Sequence, residues 1–150
     1  MQLKDYIPNV DKKNSKVFFS GISFSSSKVK KNNIFFAIKG TKVDGNNFIK
    51  KAISKGAKII ISEKKIIKKN KNIIYLYSSN VRKLLSEVSY KILAKKPQKL
   101  IAVTGTNGKS SIADFYYQIL SLNLKKVASV GTLGVRYNNK NKPLSNTTLD

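Results

Sequence analysis

The chain has no cysteine, no histidine and no tryptophan, and only seven of its 150 residues are acidic. Each absence removes a class of chemistry. Without cysteine there are no disulfides and no thiolate metal sites. Without histidine the commonest general base and transition-metal ligand is gone. No apolar run approaches the roughly 18 residues needed to cross a bilayer, and the opening MQLKDYIPNV lacks the uninterrupted apolar core of a signal peptide. The expectation is a cytoplasmic protein with no membrane partner. Its chemistry must rest on lysine, carboxylates, hydroxyls, backbone groups and a bound ion.

What is present is a 41% hydrophobic chain with a formal net charge of +23. A chain of this size can bury about 68–70% of its unfolded surface, so a real core is expected. The charge suggests nucleic acid at first sight. Yet all its basic residues except Arg82 and Arg136 are lysines, scattered as pairs such as Lys30-Lys31, Lys64-Lys65 and Lys125-Lys126. Base readout favours arginine, and single-strand binding favours basic grooves interleaved with exposed aromatics. Phe18, Phe19, Phe35 and Phe36 sit instead inside apolar runs and read as core. The lysines therefore read as solvated faces, and no nucleic-acid partner is expected.

Read in order, Val17 to Phe24 suggests a strand or strand pair, broken by Ser25-Ser26-Ser27, and Ile34–Ile38 a second strand. Gly40 and Gly45 bracket a loop. From Asn47 the positions Phe48, Ile49, Ala52 and Ile53 follow helical spacing, with Gly56 as the stop. Lys58–Ser62 and Ile73–Leu76 are β-branched runs separated by a basic hairpin or loop. Ser79 or Asn80 caps a further helix striped by Val81, Leu84, Leu85, Val88, Ile92 and Leu93. Proline and charge in Ala94–Lys99 mark a linker, which divides the chain into residues 1–96 and 97–150.

After the linker, Ile101–Thr104 is a short apolar run that suits a buried strand feeding a tight turn at Gly105. Beyond Lys109, Ile112, Phe115, Tyr116, Ile119 and Leu120 line one face of a helix. A strand, a glycine loop and a helix in that order gather unpaired N–H groups and the positive end of a helix dipole at one point, which favours a polyanion. Gly105 and Gly108 permit close backbone approach, Lys109 reaches terminal phosphate oxygens, and Ser110 offers a hydroxyl to Mg²⁺. The general pattern G-x-x-x-x-G-K-[ST] has its first glycine where this chain has Val103. Val127–Val130 supplies a second strand, followed by Gly131-Thr-Leu-Gly134 and a polar tail. The fold class expected is α/β. It comprises a small N-terminal α/β domain, then the first β-α-β elements of a P-loop-type doubly wound central domain, with two parallel strands and an incomplete sheet.

In its motif order the chain resembles the Mur ligases, the ATP-dependent amino-acid-adding enzymes of peptidoglycan synthesis, and among them the MurE-type, UDP-N-acetylmuramoyl-tripeptide synthetase, branch. The resemblance runs through Gly21–Val29, Ile34–Gly40, Asp44-Gly45, Gly56-Ala57, Val103–Ser110, Gly131–Gly134 and Asn146-Thr-Thr148. It departs where the family usually has Asp-Ser-Arg and this chain has Ser25-Ser26-Ser27, and where a proline commonly follows the paired threonines and this chain has Leu149.

The resemblance implies site residues. Phe24, Ser26, Thr41, Lys42 and Val43 contact the uridine diphosphate end of the substrate. Gly105, Thr106, Asn107, Gly108, Lys109, Ser110 and Ser111 form the ATP loop, with Lys109 catalytic and Ser110 on Mg²⁺. Asn146, Thr147 and Thr148 contact the sugar and peptide part. It also implies UDP-N-acetylmuramoyl-L-alanyl-D-glutamate and an amino acid as partners, meso-diaminopimelate ahead of lysine, in a monomeric enzyme. Further ligands and the amino-acid-binding domain lie, in the family, beyond residue 150, so these residues alone are expected to be inactive. Two other classes share part of the pattern: another P-loop NTPase or kinase shares Gly108-Lys109-Ser110, and a basic nucleic-acid-binding module would use the charge.

Overall fold

The computed structural model describes residues 1–41, 43–66, 70–138 and 140–144. The chain divides into two compact units, Met1–Lys96 and Pro97–Asp150. Among the described residues no helix is long and apolar enough to cross a membrane.

The first unit is built on four parallel strands in the order β1-β2-β3-β4: β1 Gly21–Ser23, β2 Asn33–Ala37, β3 Ala57–Ser62 and β4 Ile74–Tyr77. Parallel strands covered on both faces read as unbroken apolar runs, and β2 is buried at every position. Its alternation assigns the faces. Ile34 and Phe36 join Ile59 and Ile61 of β3 beneath α2 (Val81–Ile92), together with Leu3, Ile7 and Phe19 from the start of the chain. Phe35 and Ala37 point the other way, onto Ile60 and Ala52 of α1 (Ile49–Ser54). Each fully buried isoleucine or phenylalanine here contributes roughly 1.5–3 kcal/mol through its burial. An extra residue in β3 shifts the register between Asn33↔Ala57 and Ile34↔Ile59.

The helices form where their ends are satisfied. The Asn80 side chain accepts from the Lys83 N–H at 2.8 Å, and Glu63 Oε1 accepts from the Val81 N–H at 3.2 Å. Between them they quench two of the orphan donors at the start of α2. The helix expected from Asn47 is split. A 3₁₀ turn over Gly45–Phe48, started by Asp44, runs into α1, and Gly56 follows with φ of 102°. The basic connection between β3 and β4 is a crossover rather than a hairpin, because the two strands pair in parallel. Phe18 departs from its expected core position: it is 60% exposed, because the alternation that sends Phe19 inward turns Phe18 out to bridge Gln2 at the surface.

The second unit holds α3 (Lys109–Leu122) and an antiparallel meander of β5 Ala128–Gly131, β6 Gly134–Tyr137 and β7 Lys140–Lys142. Two local expectations differ from it. No ladder forms at Ile101–Thr104 among the described residues, and the ladder that β5 does form is the antiparallel one with β6. The two-residue turn at Thr132-Leu133 returns the chain at once beside β5, and such a short-range antiparallel pair needs no crossover. The stretch expected as a polar tail supplies two of the three strands.

Candidate functional site

The glycine loop carries the polyanion geometry. Gly108 sits in the left-handed region at φ 76° as the residue before α3, and Gly105 has φ of 146°. A side chain at Gly108 would meet no neighbour, so glycine is favoured there by backbone conformation rather than by space. The first helical bond is Ile112 N–H to the Gly108 carbonyl, 2.9 Å. Among the described residues none of the amides from Gly105 to Ser111 donates to a protein acceptor, and all seven residues are exposed. They form a row of N–H donors at the positive end of a 14-residue helix.

Two side chains complete this row. Lys109 folds back along the loop, its ammonium donating to the carbonyls of Gly105 and of Thr106, the latter at 2.9 Å. That holds the cation above the loop. Ser110 Oγ lies 2.6 Å from Thr132 Oγ1 in the β5–β6 turn. Thr132 was not singled out as a site residue, although it stands in the Gly131–Gly134 segment that carries the resemblance. One turn along α3, Asp114 pairs with Arg136 of β6 and accepts from Gln118 Nε2 at 2.6 Å. The Arg136 guanidinium also lies over the Tyr117 ring, 4.7 Å from its centroid. Ser110 and Asp114 thus fasten the start of α3 to the hairpin, and this fixes where the Ser110 hydroxyl sits.

The donor set suits Mg²⁺ brought in by a nucleotide. Among the described residues no three carboxylates or imidazoles cluster into a protein-only metal cage. Magnesium needs few protein ligands when phosphate and water oxygens supply the rest, and the exposed hydroxyl of Ser110 at the head of α3 is a hard oxygen donor of that kind.

In the first unit the predicted substrate residues follow β1 and β2, which are neighbours in a parallel sheet. Phe24 and Ser26 therefore emerge at the same end of the sheet as Thr41 and Val43. The serine loop is shaped by its own hydroxyls: Ser23 Oγ donates to the Ser25 carbonyl (2.8 Å), and the Ser25 and Ser27 hydroxyls are 2.9 Å apart. Ser26 is half-buried, while Phe24, Thr41 and Val43 are exposed. Asp44 closes the second loop. It is held well below the usual carboxylate range by its hydrogen bond from Lys64, with further help from the Asn46 backbone and side chain. Lys42, Asn146, Thr147 and Thr148 lie outside the described residues. A cleft of about 570 Å³ lined by Ile7–Asp11 and the end of β4 contains none of the predicted contacts. Exposed loop amides need no enclosed cavity to grip a polyphosphate.

Residues 19–98 match the family described as "Mur ligase family, catalytic domain", and residues 103–150 match "Mur ligase middle domain". The chain belongs to the Mur ligase family. It is 47% identical over 118 residues to the UDP-N-acetylmuramoyl-L-alanyl-D-glutamate–2,6-diaminopimelate ligase of Rickettsia conorii, covering 77% of this chain and 24% of that protein. It is 38% identical over 138 residues to the ligase of the same name from Buchnera aphidicola, covering 87% and 28%. A solved structure of a ligase of that name superimposes with a TM-score of 0.80 at 28% identity, over 100% of this chain and 31% of that one. A MurF ligase from Thermotoga maritima, solved in complex with ADP, aligns with a TM-score of 0.53 at 26% identity, over 67% and 23%. The chain thus spans about a quarter to a third of the length of these Mur ligases.

Proposed function

We propose that this chain supplies the nucleotide-sugar-binding and ATP-loop portions of a ligase that adds meso-diaminopimelate to UDP-N-acetylmuramoyl-L-alanyl-D-glutamate. Residues 1–96 hold the uridine diphosphate end, and residues 97–150 begin the ATP-binding domain. In the proposed reaction a carboxylate oxygen of the dipeptide attacks the γ-phosphorus of ATP and the bond to the β-phosphate oxygen breaks, releasing ADP and leaving an acyl phosphate. The incoming amine then attacks the acyl carbon, an amide forms, and phosphate leaves as the amine loses its proton. We place the enzyme in the cytoplasm as a monomer.

The residues here act by position and charge. The free amides of Gly105–Ser111 bind the phosphate chain, and Lys109 exchanges its two loop carbonyls for phosphoryl oxygens on which charge accumulates. Ser110, steadied by Thr132, would hold Mg²⁺, which neutralises phosphate charge when bound. At the other site, Phe24, Ser26, Thr41, Lys42 and Val43 would hold the uridine diphosphate, and Asn146, Thr147 and Thr148 the sugar and peptide part. No residue of this portion is assigned to the incoming amino acid, so amide synthesis by these 150 residues alone is not expected.

The observation that carries the reading is the row of unbonded amides capped by Lys109, in a chain of the Mur ligase family. Titration of the chain with Mg-ADP tests it. Lys109→Ala should weaken binding at least about tenfold, close to 1.4 kcal/mol. Equal affinity in the two proteins would reject the nucleotide site.

A further inference from the structure

The loop between β2 and α1 is tied to the end of β3 by a closed ring of side-chain hydrogen bonds. The Lys64 N–H donates to Ser62 Oγ at 2.9 Å, and that hydroxyl donates to Asn46 Oδ1 at 2.6 Å. The Asn46 amide nitrogen donates to Asp44 Oδ1 at 2.7 Å, and Lys64 Nζ closes the ring on Asp44 Oδ2 at 2.8 Å. Ser62 is fully buried, so its hydroxyl would be costly to leave unpaired; here it both donates and accepts.

The described backbone of this loop is hydrogen-bonded as well. The Gly40 N–H donates to the Val43 carbonyl and the Gly45 N–H to the Ile38 carbonyl, each at 2.9 Å. Lys39 and Asp44 form an antiparallel bridge at the neck of the loop. A Cβ on Gly45 would stand 2.5 Å from the Ile38 carbonyl oxygen, so the chain passes closer to β2 than any other residue allows. Thr41 and Val43 are left exposed at the tip.

We propose that Lys64, Ser62 and Asn46 are positioning residues that hold the described segments Gly40-Thr41 and Val43–Gly45 where Thr41 and Val43 are presented to the diphosphate-nucleoside end of the ligand. The inference rests on the assignment of that loop to the uridine diphosphate group. Ordering the loop before the ligand arrives removes an entropic cost from binding. Lys64 is the lever, because its backbone opens the ring and its side chain closes it from the neighbouring strand.

The test uses the 150-residue chain, uridine diphosphate as probe, and Lys64→Met, which keeps the length of an exposed side chain and deletes the charge. Amide exchange at Gly40 and Gly45 should accelerate at least about tenfold while β3 amides keep their protection. Affinity for uridine diphosphate should fall about fivefold, and Lys64→Arg should restore both readings. A loosened loop with unchanged affinity overturns the positioning role. So does a fall in affinity without faster exchange, which would make Lys64 a direct contact. If the unaltered chain binds no uridine diphosphate, the substrate assignment of the loop itself is rejected and the inference falls with it.

Discussion

The two units use the same grammar of apolar strands and striped helices, but they bury it differently. In residues 1–96 the stripe of α2 packs beneath the sheet, with Val81 and Val88 fully covered and Leu93, just past the end of the helix, left half exposed. In residues 97–150 the stripe of α3 stays in view: Ile112, Phe115, Tyr116 and Ile119 are each about half exposed or more, while Tyr117 is buried instead. An amphipathic pattern reports which face seeks cover. Whether cover exists depends on a second element. The first unit has a four-stranded sheet to offer, and the second has a three-stranded meander that receives one side of its helix.

The contrast is sharpest for a pair of phenylalanines. Phe35→Ala should destabilise the first unit by about 3–5 kcal/mol, whereas Phe115→Ala on α3 should change stability by less than about 0.5 kcal/mol. Urea unfolding monitored in each unit checks this. Equal losses would show that the α3 face is covered in solution. A smaller effect, about 1 kcal/mol, is expected for Asn80→Ala, which strips a cap from the buried helix. Losing it should lower the unfolding midpoint of the first unit alone. The smallest effect concerns Asp44. Its carboxyl titrates below the ordinary value, so its contribution is complete above the ordinary pKa of about 3.9 and is lost only as pH falls further, through the depressed folded value. Stability curves of the natural chain and Asp44→Asn should therefore run parallel from neutral to mildly acidic pH and converge only under strong acid. Convergence near neutrality would mean that the Lys64 contact does not persist in solution.

Much of the first unit was legible because its strands are apolar on both faces and its helices carry their own start and stop signals. Asn80 as a cap, the run at Ile34–Ile38 and the halt at Gly56 follow from residue chemistry within a few positions. Phe18 was misjudged because a pair of phenylalanines in a strand must face opposite ways, and composition does not say which is inside. The meander was missed because β6 and β7 are short and polar, and their ladder is set by the turn at Thr132-Leu133 rather than by hydrophobic alternation. In the glycine loop, residue chemistry pointed to Gly105, Gly108, Lys109 and Ser110, and the family resemblance added Thr106, Asn107 and Ser111. The Ser110–Thr132 contact was invisible, since it joins residues 22 apart in sequence. The Asp44–Lys64 ring was hidden for the same reason: its members come from two strand ends brought together only by parallel pairing.

That pairing runs in chain order from β1 to β4. The connections leaving the carboxyl ends of the strands therefore form a rim on which position along the polypeptide and position in space increase together. An elongated molecule lying across such a rim would be met by successive segments as a ruler is met by its divisions. Lengthening any one segment would alter one division and leave the others where they were.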